Sequence, residues 1–484
     1  MNAPLRRLAA VVVMLFASLF ASSTFIQFFD AGALNKRPDN VRTLYKEFGR
    51  QRGPIVVAGQ EVARSVPSND RYKYLRSYSG GELYAPITGF YSVKYGETGI
   101  ESTESDLLAG TADQLFYRRV SDLLTGRQPQ GATVELTIDP KLQKIAWDAM
   151  GDQRGAVVAL DPKTGNILAM VSKPSFDANL LAGHDSTKVT AARQQLLDDP
   201  NRPMDNRALG ALYPPGSTFK LITAAAALAQ GNLTPDSQIP GPASVQLPLS
   251  NRRLANDTNA PCGGGDQSTL TQALTQSCNT SFALLGQSVG ADALRKQAEA
   301  FGFDSDQLRI PLRVARSTFP TAPDAAQTEL SSIGQFDVAA TPLQMAMVSA
   351  AIANDGVLMK PNLVARVRSA DNLDVIQSAT PNELGRPISS QVAGELRTMM
   401  LSVVTSGTGT AAQIDGVDVA GKTGTAQSAE GKPPHAWFTA FASGNGRNIA
   451  IAVVVEYGGK AGNEAFGGTV AAPIARKVME AVVR

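Results

Sequence analysis

The segment Tyr213-Pro-Pro-Gly-Ser-Thr-Phe-Lys220 is the strongest candidate for a chemical site in this chain of 484 residues. Its prolines and its glycine disfavour a helix, whereas Ser217 is a good helix-initiating residue. The apolar run that follows predicts a buried helix that ends at Gly231. Ser217 is therefore expected at the N-terminus of a core helix, with Lys220 one turn along on the same face.

This arrangement suits nucleophilic catalysis by a serine. A serine hydroxyl is a poor nucleophile near neutral pH and needs a neighbouring base. Lys220 can be that base if burial or nearby positive charge lowers its pKa, and the helix N-terminus favours negative charge that develops at Ser217. The same spacing also fits an ordinary helix start with a lysine that reaches to solvent. Other motifs must decide between these two interpretations.

Two further motifs follow Ser217 along the chain. Ser277-Cys278-Asn279 lies downstream of it, and Lys422-Thr-Gly-Thr425 follows at the end of a predicted strand. Neither motif is specific alone, but all three in this order, on a helix, a loop and a strand, form the signature that penicillin-binding proteins and serine β-lactamases share. The chain resembles that family. A histidine-based triad has few candidates among two histidines, and His435, without an obvious acid partner, is interpreted as structural.

The resemblance implies a role for each side chain of the first two motifs. Ser217 would attack the carbonyl of a D-Ala-D-Ala stem peptide and become acylated, while Lys220 would take its proton. Ser277 would relay a proton towards the leaving amine. Asn279 would hydrogen-bond both the substrate amide and Lys220.

The resemblance implies that the third motif binds the substrate. Lys422 would supply positive charge that lowers the pKa of its neighbours and attracts the terminal carboxylate. Thr423, Gly424 and Thr425 would line the substrate site, where the threonine hydroxyls would hold that carboxylate or the one on a β-lactam. The backbone N–H groups of Ser217 and Thr425 would form the oxyanion hole.

Other segments extend the resemblance over most of the chain. Those similar to a transpeptidase domain are Thr137–Gln143, Val158–Met170, Pro174–Asn179, Asn206–Ala208, Thr341–Ala346, Ala353–Gly356 and Gly407–Thr410. Arg52-Gly-Pro-Ile55 and Gly99-Ile-Glu101 resemble the N-terminal module of class B penicillin-binding proteins. The short N-terminal region and the two-cysteine active-site segment are most similar to the actinobacterial penicillin-binding protein A group.

Apolar patterns predict an α+β domain over about 134–484. The predicted elements are a helix at Lys141–Met150, a hairpin of Gly155–Leu160 and Ile167–Val171, strands at Val417–Gly421, Ala436–Phe441 and Ile449–Val455, and a closing helix from Ala472. Helical patterns occupy the middle of this segment. The resemblance implies a five-stranded antiparallel sheet covered by helices, plus an all-helical subdomain.

The N-terminus predicts a membrane anchor. Arg6 and Arg7 precede an uncharged run from Leu8 to Phe29. A run of about 20 apolar residues can cross a bilayer as a helix, and the arginines favour a cytoplasmic N-terminal side. A cleaved signal peptide is the alternative. We expect a single-pass protein of the cell membrane with an extracytoplasmic catalytic domain.

The predicted division of the chain is therefore an anchor at 1–30, a small non-catalytic module at 31–133 and a transpeptidase domain at 134–484. The module would lift the domain off the membrane, and it is a candidate for contacts with cell-wall synthesis or division proteins. About 100 residues are too few for the glycosyltransferase domain of bifunctional relatives.

The two cysteines raise the question of a disulfide, since an exported protein meets an oxidising compartment. A bond between Cys262 and Cys278 would stabilise the fold by about 3 kcal/mol on the chain-entropy model. It would also pin the loop that carries Ser277 and Asn279. Two separate buried thiols are the alternative.

Composition excludes other classes. The formal net charge is +2, which gives no electrostatic footprint for nucleic acid. No cluster has metal-ligand spacing, and neither a metal nor a cofactor is expected.

Four alternatives share the same motifs or part of them. A β-lactamase needs a dedicated carboxylate for deacylation and is typically smaller and released. A DD-carboxypeptidase uses the same residues with water as acceptor, so the motifs barely discriminate it. A penicillin-recognising sensor needs a cytoplasmic output, whereas only seven residues precede the apolar run, and a dead scaffold would be expected to lose catalytic residues. We therefore expect a monofunctional transpeptidase that β-lactams inhibit.

Overall fold

The structure is a computed structural model that describes residues 2–35, 41–115, 130–306, 308, 310–371, 374–428 and 431–484. It begins with one long apolar helix, α1 (Asn2–Thr24), which continues in a π-helical turn at Phe25–Phe29. Within the stretch Ala3–Phe29, a window of 18 residues has a mean hydropathy of 2.2 and is not buried by the rest of the protein. Its length and composition make it a candidate membrane span, and a signal sequence would have the same character.

The N-terminal part combines short helices with a sheet. The helices are α2 (Ala31–Asn35), α3 (Val41–Phe48), α4 (Gly81–Thr88), α5 (Gly99–Thr103) and α6 (Ser105–Leu108). The strands are β1 (Ile55–Val57), β2 (Gln60–Pro67), β3 (Tyr74–Tyr78), β4 (Tyr91–Ser92), β5 (Gly96–Glu97) and β6 (Thr133–Leu136).

The larger C-terminal part holds the predicted site. Its helices are α7 (Pro140–Met150), α8 (Asn179–Ala182), α9 (Ser186–Asp198), α10 (Lys220–Ala229), α11 (Leu270–Thr275), α12 (Asn279–Val289), α13 (Ala291–Ala300), α14 (Ala325–Ser332), α15 (Pro342–Ala353), α16 (Ser390–Thr405), α17 (Gly467–Val470) and α18 (Ala472–Val483). Its strands are β7 (Gly155–Leu160), β8 (Ile167–Lys173), β9 (Gln238–Pro240), β10 (Ser244–Gln246), β11 (Arg253–Ala255), β12 (Gln267–Thr269), β13 (Leu358–Met359), β14 (Val364–Arg368), β15 (Val375–Ser378), β16 (Glu383–Gly385), β17 (Val419–Ala426), β18 (His435–Gly444) and β19 (Arg447–Val455).

A five-stranded antiparallel sheet in the order β17-β18-β19-β7-β8 forms the centre of this part. Alternate residues of β19 enter two different cores because successive side chains point to opposite faces. Ile451 and Val453 pack with α7 and α18, whereas Ala452 and Val454 belong to the core that includes α15. Burial on both faces explains why the strand has a continuous apolar sequence. The predicted α+β fold, with a five-stranded antiparallel sheet covered by helices, is confirmed.

The predicted elements match the structure closely, with one correction. The strand predicted at Val417–Gly421 begins later, because Val417 donates its N–H to Ile414 O in a tight turn (3.0 Å). β17 instead continues to Ala426, so Lys422-Thr-Gly-Thr425 lies inside the strand and not at its end. The motif is thereby held by a full ladder with β18.

A second sheet joins the N-terminal part to the C-terminal part. Its order is β15-β14-β6-β1-β2-β3. β1 and β6 pair in parallel, and β14 pairs with β6 in the antiparallel sense. The boundary predicted between residues 133 and 134 therefore falls within β6, and a hairpin from far along the chain completes the sheet of the N-terminal part.

Candidate active site

The turn that carries Ser217 is shaped by Gly216. A 3-10 turn (Gly216–Phe219) leads directly into α10, and Ser217 is half-buried in it. Gly216 has φ +53°, which favours glycine. A Cβ there would lie 2.8 Å from Thr425 O on β17. The glycine thus allows the turn that carries Ser217 to approach the strand that bears the third motif.

Lys220 is completely buried beneath that turn. Its Nζ donates hydrogen bonds to Ser277 O (2.6 Å) and to Asn279 Oδ1 (2.8 Å), and lies 3.4 Å from Ser277 Oγ. The lysine therefore does not extend to solvent, as it would at an ordinary helix start. The structure brings the first and second motifs into direct contact.

The loop between α11 and α12 presents the second motif. Ser277 has φ +60°, a left-handed conformation that is uncommon for a residue with a side chain. Its N–H donates to Leu274 O (3.1 Å), and Cys278 N–H donates to Ala273 O (2.9 Å). Cys278 is joined to Cys262 by a disulfide bond. The loop is thus fixed by its own backbone bonds and by a covalent link.

Lys422 brings the third motif to the same point. It is completely buried, and its Nζ donates to Ser277 Oγ (2.8 Å) and to Thr423 O (3.0 Å). Thr423 Oγ1 lies 2.6 Å from Thr408 Oγ1. Ser277 therefore lies between the two lysines: its carbonyl oxygen accepts a hydrogen bond from Lys220, and its hydroxyl oxygen accepts one from Lys422.

Gly424 permits the close approach of β17 to the turn at Gly216–Phe219 that carries Ser217. A Cβ at this position would lie 2.9 Å from Thr218 Cγ2 and 3.0 Å from Pro215 O. The next residue, Thr425, is half-buried. The predicted substrate-binding residues thus line the strand edge that faces Ser217.

Burial dominates the electrostatics of the two lysines. Burial lowers the pKa of Lys220 well below its ordinary value, and the nearby charge of Lys422 lowers it further. Burial likewise lowers the pKa of Lys422 to about 7. The carboxylate of Asp257 acts against both shifts, since an opposite charge favours the protonated form. A lysine with a lowered pKa can accept a proton near neutral pH.

Sequence reasoning did not single out Asp257 or Thr408 as site residues. Asp257 Oδ1 accepts a hydrogen bond from Asn279 Nδ2 (3.0 Å), and Thr408 contacts Thr423. Thr408 lies in a segment that had been noted only for its resemblance to the family. Neither residue belongs to the three motifs that define the site, so only the folded chain shows that they lie close to it.

His435 lies at the start of β18 and not before it. Its Nδ1 accepts a hydrogen bond from Tyr457 N–H (3.1 Å), and burial lowers its pKa, although Glu456 acts in the opposite direction. Glu456 is a nearby acid that the sequence did not reveal. It accepts hydrogen bonds from Tyr213 and Arg207, so this cluster stabilises the segment that leads to Ser217.

Among the described residues, no group of three or more His, Cys, Asp or Glu could hold a metal ion.

The sequence matches two families. Residues 155–480 match the penicillin-binding protein transpeptidase domain, and residues 52–134 match the penicillin-binding protein A dimerisation domain. The chain is 47% identical over 494 aligned residues to the peptidoglycan D,D-transpeptidase PbpA of Mycolicibacterium smegmatis, covering 100% of this chain and 99% of that protein. It is 45% identical to PbpA of Mycobacterium tuberculosis, again over 100% of this chain and 99% of the relative.

Solved structures show the same likeness. The ceftriaxone acyl-enzyme complex of penicillin-binding protein A from M. tuberculosis superposes with a TM-score of 0.87 at 44% identity, covering 91% of this chain and 100% of that one. The penicillin G acyl-enzyme complex of the same protein gives a TM-score of 0.84 at 45% identity, over 89% and 99% of the two chains. The predicted resemblance to class B enzymes of the penicillin-binding protein A type is confirmed. This chain belongs to the penicillin-binding protein transpeptidase family.

Proposed function

We propose that this chain is a peptidoglycan D,D-transpeptidase that cross-links stem peptides through an acyl-enzyme on Ser217, and that β-lactams acylate the same serine. The observation that carries the proposal is the convergence of three motifs on Ser277, which contacts the Nζ atoms of Lys220 and Lys422. Relatives named peptidoglycan D,D-transpeptidase, and β-lactam acyl-enzyme structures of one of them, support it.

Acylation begins when Ser217 Oγ attacks the carbonyl carbon of the penultimate D-Ala. Lys220 takes the hydroxyl proton, which requires its amine to be neutral beforehand; its burial and the repulsion from Lys422 favour that state. The tetrahedral intermediate then collapses, the peptide C–N bond breaks, and the terminal D-Ala leaves after its nitrogen has received a proton through Ser277. An ester between Ser217 and the donor peptide remains.

The third motif holds the substrate during this step. The ammonium group of Lys422 and the hydroxyls of Thr423 and Thr425 bind the terminal carboxylate, while Gly424 lets the strand approach. The backbone N–H groups of Ser217 and Thr425 stabilise the oxyanion, an effect typically worth about 3 kcal/mol for each donor. Asn279 hydrogen-bonds the substrate amide.

Deacylation transfers the donor peptide to an amine. The amino group of a second stem peptide attacks the ester carbonyl, loses a proton to the base and forms a new peptide bond, which restores the Ser217 hydroxyl. A water acceptor would make the same residues a DD-carboxypeptidase. No metal or cofactor takes part in either reaction as we propose it.

The placement of the chain follows from the same proposal. The helix within residues 1–30 anchors the protein as a single-pass span, and residues 134–484 catalyse the reaction outside the cytoplasmic membrane, where peptidoglycan lies. The apolar stretch Ala3–Phe29 supports the anchor by its length. The module at 31–133 holds the catalytic domain away from the membrane and is where cell-wall synthesis or division proteins would bind.

The first experiment incubates the full-length chain in detergent micelles with a fluorescent penicillin. We expect a long-lived covalent adduct on the native chain and on Ser443→Ala, a control at an exposed serine of β18. Ser217→Ala should give no adduct. Labelling of Ser217→Ala at the native rate would contradict the assignment of the nucleophile, and rapid release of the label would indicate a β-lactamase.

A second assay separates the two acceptors. The native chain receives a stem-peptide donor with and without an amine acceptor, and products are identified by mass. A cross-linked dimer that depends on Ser217 supports transpeptidation. Release of D-Ala without any dimer would favour the carboxypeptidase.

A further inference from the structure

Asp257 lies outside the three motifs, two residues after the end of β11, but it contacts one of them. Its Oδ1 accepts a hydrogen bond from Asn279 Nδ2 (3.0 Å), and Ala255 O accepts a second from the same nitrogen (3.2 Å). The other end of the amide, Asn279 Oδ1, accepts from Lys220 Nζ (2.8 Å). Because an amide nitrogen donates and its oxygen accepts, these partners define a single orientation of the Asn279 side chain.

Asp257 also supplies charge to the site. Among the described residues, the ionisable groups that shift the pKa of Lys220 are Lys422, which lowers it, and Asp257, which raises it. Asp257 also raises the pKa of Lys422. One carboxylate thus raises the pKa of two buried lysines, although burial remains the larger effect on each.

The position of Asp257 lets it act without being buried. It is exposed at the edge of a cavity of about 270 Å³ that Ser277, Cys278 and Thr408 also line. Interactions at such a rim are weakened by solvent. We therefore expect the direct hydrogen bond of Asp257 to Asn279 to contribute more to the site than the charge of Asp257 on the two lysines does.

We propose that Asp257 is a positioning residue for acylation, whose carboxylate holds the Asn279 amide with its oxygen against Lys220 and whose negative charge offsets the two buried lysines. This inference rests on the proposed function, because it concerns the same acylation of Ser217. Asp257 acts through Asn279 and does not itself touch the reacting atoms.

The test compares variants of the full-length chain in detergent micelles. Asp257→Ala removes both the acceptor and the charge. Asp257→Asn keeps an acceptor for Asn279 but removes the charge. Asp266→Asn is the matched control, because Asp266 is an exposed aspartate at the other end of the connection between β11 and β12, which also contains Asp257. The second-order rate constant for acylation by a fluorescent penicillin is measured across pH, together with Tm.

We expect Asp257→Ala to acylate at least about tenfold more slowly than the native chain, because a misoriented group near the reacting centre slows the chemistry. Asp257→Asn should recover most of that loss. Its pH profile should nevertheless move to lower pH on both limbs, because the carboxylate no longer raises the pKa of Lys220 or of Lys422. Asp266→Asn should keep the native rate and profile, and every variant should keep the native Tm within about 2 °C.

Three results would count against the inference. If the native chain is labelled and Asp257→Ala acylates within about twofold of it, the inference is wrong while the proposed function stands. If Asp257→Ala is slow only in proportion to a lowered Tm, and Asp257→Asn shows no pH shift, the residue is merely structural. If the native chain is not labelled at all, the proposed function fails and the inference fails with it.

Discussion

Single residues in this site are arranged around two lysines that water cannot reach. Lys220 and Lys422 are both completely buried, and each donates to Ser277. A buried ammonium is costly, so burial favours the neutral amine. Two such groups near each other disfavour double protonation further. The two lysines therefore lie where only one positive charge is easily held, which suits the base and the cation of the proposed mechanism.

This arrangement predicts a pH dependence for the reaction. The proposed mechanism requires Lys220 to be neutral and Lys422 to be charged, so the rate should rise as Lys220 loses its proton and fall as Lys422 loses its own. Since the pKa of Lys422 in the free enzyme is lowered to about 7, kcat/KM should fall above that pH.

The falling limb of the kcat profile should lie at higher pH than that of kcat/KM, because a bound substrate carboxylate raises the pKa of Lys422. Initial rates with a stem-peptide donor across pH give both profiles. A falling limb of kcat/KM that stays near pH 10.5, the ordinary value for lysine, would contradict the assignment of Lys422.

At the scale of elements, the site depends on how closely the turn at Gly216–Phe219, which carries Ser217, approaches β17. Glycine stands on both sides of this contact, at Gly216 in the turn and at Gly424 in the strand. The five-stranded sheet fixes β17 along its length, while α10 fixes the turn. Small changes at the contact should therefore affect catalysis before they affect the fold.

Gly216→Ala tests that contact. The new Cβ would require a left-handed alanine and would lie 2.8 Å from Thr425 O, so the turn must move away from the strand. We expect a loss of stability of about 1–3 kcal/mol and a fall in the acylation rate of at least about tenfold.

Gly231→Ala is the control for backbone strain. Gly231 also has a positive φ (+79°), but nothing lies within 4 Å of the added Cβ. It should lose about 1–2 kcal/mol from the left-handed conformation alone and should acylate at the native rate. Equal acylation rates for the two variants would show that the approach to Thr425 does not matter.

Local pattern predicted the elements well and the contacts between them only in part. The hairpin and the closing helix follow from apolar periodicity, and the nucleophile's turn from its prolines and glycine. The extent of β17 was missed because Lys422 and the threonines are polar, yet the ladder with β18 includes them. Asp257 and Thr408 reach the site only through tertiary folding, which leaves no local signal. The resemblance to a family supplied the roles that spacing alone could not assign.

Both parts of the chain contribute strands to one sheet, which joins them. β6 lies between β1 of the N-terminal part and β14 of the C-terminal part. Sequence pattern could not predict this pairing, since the paired segments are far apart in the chain. It means that the N-terminal part is not an independent unit on a flexible tether. A disturbance in its core should therefore be felt at the β14–β15 hairpin.

Glu101→Gln tests this coupling, because Glu101 is fully buried in the N-terminal part, where Arg52 Nε and Arg76 Nε each donate to it at 2.6 Å. Loss of the carboxylate takes the ion-pair partner from the buried guanidinium of Arg76 and leaves that of Arg52 with Glu97, which should cost about 3–5 kcal/mol. Glu61→Gln is the control, since its pair with Arg64 is exposed and should contribute about 0–1 kcal/mol. In hydrogen exchange, Glu101→Gln should weaken protection in β1 and also in β14, whereas β19 and the acylation rate should change little, because the five-stranded sheet does not include these strands. Loss of protection in β1 with native protection in β14 would show that the shared sheet does not couple the two parts.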